Sequence, residues 1–181
     1  MAAPSVFAES RGWATCDLLD PSVIAGNKVY KCEDPDGYAF AVFSSSMFIT
    51  WQKTVGGRLK SDPNFSNTIV WNTFPLPRVT SGAREAICAG GRAVLAARDL
   101  QPARSLADHY NPLAMAPELL RAHRQLDTAL DKVLGLAGTV DEPTRLKALF
   151  NSYDRMVRAE AAPTLPIAKQ RARARREPGG A

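Results

Sequence analysis

Two patterns of apolar and polar positions meet near residue 78 of this chain. Before that point, aromatic and β-branched residues come in short runs. Val29-Tyr30 and residues 38–43 read as strands, separated by the turn-forming Asp34-Pro35-Asp36-Gly37. Ser46 reads as the N-cap of a helix from Met47 to about Val55, which Gly56-Gly57 ends. Residues 68–74, with Ile69, Val70 and Trp71, read as another strand, and Pro75-Leu76-Pro77 stops any regular ladder. After the boundary, apolar residues recur at helical spacing. Residues 81–98 carry Ile87, Val94 and Leu95 on one face; residues 117–134 carry Leu119, Leu120, His123, Leu126, Leu130, Val133 and Leu134. A third helix starts at Thr139 or Asp141, with Leu146, Leu149, Phe150, Tyr153 and Met156 predicted to face inward. The pattern predicts an α+β chain: a small mixed α/β region over 1–78, a compact three-helix domain over 79–160, and a disordered basic tail over 161–181.

Composition changes this picture little. The 45% hydrophobic and 23% charged fractions are those of a folded globular chain. No apolar run is long enough to span a bilayer, and the first residues lack the basic and apolar segments of a signal peptide. Cys16, Cys32 and Cys88 are scattered, with only His109 and His123 beside them, so neither a disulfide framework nor a zinc site is expected. A reduced, cytoplasmic protein is the expectation. The net charge of +5 suggests a nucleic-acid partner, but its distribution qualifies that. The last thirteen residues carry +4, leaving +1 for the other 168. Either the tail is a solvated end, or it touches phosphates; the folded part must bind DNA, if at all, through local patches.

Motifs for chemistry are scarce. Glu33, Asp34 and Asp36 cluster, but beside proline and glycine, where turn chemistry alone would choose them. There is no P-loop, no Gly-x-Ser-x-Gly elbow and no His-Glu-x-x-His. Cys88 reads as a buried, inert thiol. One stretch is more informative. Ser44-Ser45-Ser46 leads into Trp51, Gln52 and Lys53, followed by Arg58, Lys60, Ser61, Asn64, Ser66, Asn67 and Asn72. In an extended segment Arg58 and Lys60 share one face, with Leu59 turned inward. Such residues suit phosphates and base edges, although composition alone reads first as a polar surface loop.

This stretch resembles the end of the target-recognition domain of MmeI-like restriction–modification enzymes. The resemblance rests on Tyr38-Ala39-Phe40-Ala41-Val42-Phe43-Ser44-Ser45-Ser46-Met47, Trp51, Gly57-Arg58-Leu59-Lys60-Ser61-Asp62, Phe65-Ser66 and Ile69-Val70-Trp71-Asn72-Thr73-Phe74-Pro75-Leu76-Pro77. It continues into that family's C-terminal domain through 105–115, Pro117-Glu118-Leu119, Ala122-His123, Leu126-Asp127, 142–146 and 149–153. Phe48 stands where the family usually has histidine, Thr73 where it often has asparagine and Leu76 where it often has tryptophan, so base contacts do not transfer directly.

The resemblance implies the target-recognition portion of an adenine-specific (N6) DNA methyltransferase, with double-stranded DNA as partner. It also implies a second partner: the methyltransferase and front recognition half, or a separate catalytic subunit. Ser45, Lys53, Arg58, Lys60, Ser61 and Asn72 are the candidate DNA-binding residues, Arg58 and Lys60 foremost, and Trp51, Trp71 and Phe74 are assigned to packing. The competing reading is a structural brace or docking module with no DNA binding of its own. An apolar surface near Val29, Tyr30, Phe40 and Val42 is expected to stand open for the missing half.

No catalytic or cofactor-binding residue is assigned. S-adenosylmethionine, and Mg2+ where a nuclease is present, belong to the complete enzyme. Gly90-Gly91 falls within a predicted helix rather than after a strand, and Gly56-Gly57 follows a helix. Asn111-Pro112-Leu113-Ala114 lacks the ring that stacks on an extruded base. Isothermal calorimetry of the purified chain with S-adenosylmethionine is expected to give no binding heat; stoichiometric binding would place a cofactor site in this sequence after all.

Overall fold

The computed structural model describes residues 1–161. The expected disordered tail lies outside the described residues from 162 onward. Strand β1 (Ala2–Pro4) pairs antiparallel with β2 (Val29–Lys31), Ala3 opposite Tyr30. Helices α1 (Tyr38–Phe43) and α2 (Ser46–Val55) follow. A second antiparallel pair, β3 (Gly57–Leu59) with β4 (Asp62–Asn64), leads into a π turn at Asn67–Trp71. The rest is helical: α3 (Ser81–Asp99), the short α4 (Leu106–His109), α5 (Pro117–Val133) and α6 (Glu142–Ala161). The architecture is mixed α+β, as the sequence pattern predicts.

Two predicted strands are helical instead. Residues 38–43 form α1 because the Asp34 carboxylate accepts hydrogen bonds from the Ala39 and Phe40 amides, at 2.9 and 2.8 Å. These are the amide donors that a helix start leaves without partners, and a negative charge there is favourable. Phe40, Ala41, Val42 and Phe43 are all buried, so no polar face reveals a period. Residues 68–74 turn into the π turn, which Ser66 opens by accepting from the Ile69 amide at 3.3 Å. The Asn72 amide closes it on the Asn67 carbonyl. Capping outweighs the strand preference of Ile69 and Val70. The cap of α2 is Ser45 rather than Ser46, with its hydroxyl accepting from the Phe48 amide at 3.1 Å.

Helix α3 lies at the centre. A side-chain β-carbon on Gly90 would come within 3.0 Å of the Leu126 α-carbon on α5, and one on Gly91 within 2.8 Å of Ala41 on α1. Consecutive helical residues point about 100° apart, so α5 and α1 press on neighbouring faces of α3. Around this contact are buried Ile87 and Val94 of α3, with Leu119, Leu126 and Leu130 of α5. An aromatic group, Phe43, Phe48, Phe65 and Phe74, fills the space beneath α2.

Polar clamps tie the helices to the mixed region. Asp127 of α5 accepts from the Ser46 amide at 2.7 Å, from the Ser46 hydroxyl, and from the Trp13 indole at 3.1 Å. Arg145 of α6 grips Asp131 of α5 with two hydrogen bonds of 2.8 Å. Ser152 of α6 donates to the Pro75 carbonyl at 2.7 Å. Of the α6 residues expected to face inward, Leu149 is buried and Leu146 and Met156 are half-buried. Phe150 and Tyr153 stay partly exposed, the first edge-on to Trp51 at 5.4 Å and the second tilted beside it at 5.7 Å between ring centroids.

The expected open apolar face is displaced. Phe40 and Val42 are buried under α3 and α2, while Tyr30 remains accessible. Exposed apolar side chains also occur in the loop before β2, at Leu18, Leu19, Val23 and Ile24, the last 95% exposed.

The glycine pair yields a stability test. Gly91→Val should destabilise the chain by about 1–3 kcal/mol, the usual cost of forcing bulk into a packed contact. Gly82→Ala, which meets nothing within 4 Å, should stabilise it by up to about 1 kcal/mol through helix propensity. Urea unfolding followed by circular dichroism measures both; equal stability of Gly91→Val and the parent would mean that α1 and α3 do not meet there.

Candidate nucleic-acid interface

The candidate interface is built on the β3–β4 hairpin and the helix beneath it. Leu59 pairs with Asp62, leaving Lys60 and Ser61 as a two-residue turn. Lys60 adopts the left-handed backbone region, with φ of 59°, which a non-glycine residue takes up at some cost. The hairpin is anchored on both sides. From α2, the Gln52 side-chain amide donates to the Asn64 carbonyl at 3.2 Å. From the N-terminal segment, the Phe7 amide donates to the Pro63 carbonyl at 3.0 Å, and the Phe65 amide to the Ser5 carbonyl at 2.7 Å. The turn thus projects from a fixed base.

Of the six sequence candidates, the structure brings Arg58, Lys60 and Ser61 together at this turn, all exposed. The Arg58 guanidinium donates to the Ser61 carbonyl at 2.8 Å and to the Glu9 carboxylate at 3.1 Å. Leu59 does not turn inward: it is 58% exposed, because the hairpin has no core beneath that position. Ser45 is fully buried, donating to the Val42 carbonyl at 2.7 Å while capping α2, so its polar atoms serve the fold. Lys53 is half-buried and donates to the Arg11 carbonyl at 3.1 Å, holding the N-terminal segment against α2. Asn72 is exposed at the end of the π turn, where it lines a separate cleft with Asn67 and Trp71. Trp51 and Phe74 are buried and Trp71 half-buried, as packing roles require. Glu9 is the residue that sequence reasoning missed; it lies 49 positions before Arg58 and no local spacing signals the pair.

Among the described residues no cluster of histidine, cysteine and carboxylate side chains is arranged to hold a metal ion. No helix among them is long and apolar enough to cross a membrane.

Comparison with known proteins places this arrangement. Two family models match consecutive parts of the chain: the MmeI target recognition domain over residues 1–78, and the MmeI C-terminal domain over residues 79–159. The chain belongs to the MmeI family. It is 32% identical over 158 residues to DNA methyltransferase A of Bacillus subtilis strain 168, covering 86% of this chain and 18% of that protein. The structure of the type IIL restriction–modification enzyme MmeI in complex with DNA matches it with a TM-score of 0.82 at 36% identity. That match covers 86% of this chain and 21% of the MmeI chain. The chain therefore spans about a fifth of the length of these two relatives.

In this MmeI-family chain, the deepest polar network joins the two matched regions. Tyr110 shares a hydrogen bond of 2.7 Å with the His123 ring and accepts from the buried Arg98 guanidinium, which also donates to the Cys16 carbonyl at 2.9 Å. Trp13 stacks on His123 with 4.6 Å between centroids. The buried network reads as structural. Burial, assisted by the positive charge of Arg98, lowers the His123 pKa to about 3. Unfolding returns it to about 6.5, so between these values only the unfolded chain takes up the proton. Stability is therefore intact above pH 6.5 and is lost as pH falls, by up to about 1.4 kcal/mol per pH unit. Asp127 works with the opposite sign, because burial raises its pKa above 3.8 and the native chain takes its proton first. That recovers some stability as pH falls through its folded pKa toward 3.8. Urea unfolding at pH 7 and pH 5 should show a clear loss at the lower value. His123→Gln should be less stable at pH 7 yet lose less on acidification; an unchanged loss would assign the pH dependence to other groups.

Proposed function

We propose that this chain is the DNA-reading portion of an adenine-specific (N6) DNA methyltransferase or restriction–modification enzyme. The catalytic and S-adenosylmethionine-binding parts would lie in polypeptide beyond this sequence. The observation that carries the reading is the match of both domains to an enzyme whose structure was determined with DNA bound. Local geometry supports it. Arg58 and Lys60 are accessible on a braced hairpin, and the Arg58–Glu9 ion pair is exposed on both sides. Such a pair is worth about 0–1 kcal/mol, so a phosphate can take the place of Glu9 at little cost. The strained backbone at Lys60 supports a functional position, since local stability alone would favour glycine or asparagine there. Arg58, Lys60 and Ser61 then make phosphate contacts that set register rather than read sequence.

A second partner, the catalytic half of the enzyme or a separate subunit carrying it, fits the exposed loop bearing Leu18, Leu19, Val23 and Ile24. If docking were the only role, the chain would act as a brace and bind no DNA.

Salt-dependent binding to duplex DNA separates these readings. Arg58→Ala should weaken binding and reduce the slope of log affinity against log salt by about one. Lys60→Gly should also weaken binding, while relieving the backbone and raising stability by up to about 1 kcal/mol. Loss of all binding on removal of residues 162–181 would leave the brace reading in place and overturn the hairpin as a DNA contact.

A further inference from the structure

Beyond the hairpin, a cleft of about 170 Å3 opens between β2 and the π turn. Four of its lining residues are aromatic, Tyr30, Phe43, Phe65 and Trp71, and Met1 and Cys32 add to the apolar side. Phe65 is buried and meets Phe43 edge-on at 5.2 Å and Tyr30 edge-on at 4.8 Å between centroids. The inner rings are thereby fixed, while Tyr30 and Trp71 keep accessible surface. Asn72 also lines the cleft, and its backbone amide alone is used to close the π turn. Its exposed side-chain amide stays available, and Lys31 brings a cation to the same cleft.

Pockets for drug-sized ligands run from about 300 to 1,000 Å3, so this one suits a single ring system. Flat aromatic walls take the face of a ring, and an asparagine amide presents donor and acceptor side by side, the pattern complementary to an adenine edge. A lysine beside them matches a neighbouring phosphate. An apolar side chain from a protein partner would use the walls but leave the amide and the cation without a role.

We propose that this cleft receives one nucleobase unstacked from a DNA strand, its ring against Trp71 and Tyr30 and its edge toward the Asn72 amide. The inference rests on the DNA-binding reading above, and the experiment tells the two apart. The full chain is titrated with two duplexes that differ at one position. In one, 2-aminopurine pairs with thymine; in the other it faces an abasic site, where extrusion costs little. The unpaired duplex should bind about tenfold more tightly, with quenching of the 2-aminopurine fluorescence as the base stacks. In Asn72→Ala and Tyr30→Ala, both at accessible positions, the preference should fall to about unity and the quenching should disappear. Trp71→Ala is a poorer probe because Trp71 also packs on Phe43 and Phe48. Equal affinity for the two duplexes without quenching would overturn the cleft and leave the DNA reading standing. Quenching that persists in both variants would overturn it as well. If neither duplex binds, the DNA reading fails, and 2-aminopurine riboside alone decides the cleft: unquenched fluorescence at millimolar protein overturns it.

Discussion

A side chain on either member of the Gly90-Gly91 pair would push α3 away from α5 or from α1, and the scaffold under the hairpin would shift with it. Two glycines inside a helix cost about 1 kcal/mol each relative to alanine, and here that cost is offset by backbone-close packing on two adjacent faces. Helix α1 leads through Ser44 and Ser45 directly into α2, so the seating of α1 on α3 fixes where α2 starts. Asp127 fixes the same point from α5 by accepting from the Ser46 amide. The mixed region and the helical region are thus one packed body, although two family models divide the chain at residue 78.

The candidate interface combines this rigid support with loosely held charge. Gln52 of α2 and the N-terminal segment hold the hairpin from opposite sides, through neutral hydrogen bonds to its backbone. The cation at its edge, by contrast, is held at the surface, Arg58 bonding to Glu9 and the Ser61 carbonyl with both side chains exposed to solvent. Contrast Arg98, buried and bonded to Tyr110 and the Cys16 carbonyl, and Arg145, half-buried and bonded twice to Asp131. Arginines of one chemical type are divided by burial into those that hold the fold and those free to meet a phosphate.

The geometry of the candidate site was partly legible in the sequence. Arg58, Lys60 and Ser61 fall within a few residues of one another, so any turn would gather them, and the structure does so. Ser45 and Lys53 carry the same chemistry, but their roles depend on what α2 packs against. Ser45 lies at a helix start buried under α1, and Lys53 points to a carbonyl 42 positions away. Neither fact is encoded in local spacing. The aromatic cleft joins Tyr30, Phe65 and Trp71 from three separate segments, and only the folded chain makes them neighbours.

The sequence by itself determined the long helices α3 and α5, which begin and end within a residue of their predicted bounds, because amphipathic periodicity over five turns is a strong signal. It also determined β2. Tertiary structure alone decided residues 38–43 and 67–71. Both are short and rich in β-branched or aromatic residues, so local preference favours strands. They are helical because Asp34 and Ser66 satisfy the amides of a first turn, and because the four buried residues Phe40 to Phe43 of α1 leave no polar face to impose a period. Where burial is complete, the pattern of polar and apolar positions carries no direction, and packing partners distant in sequence set the conformation.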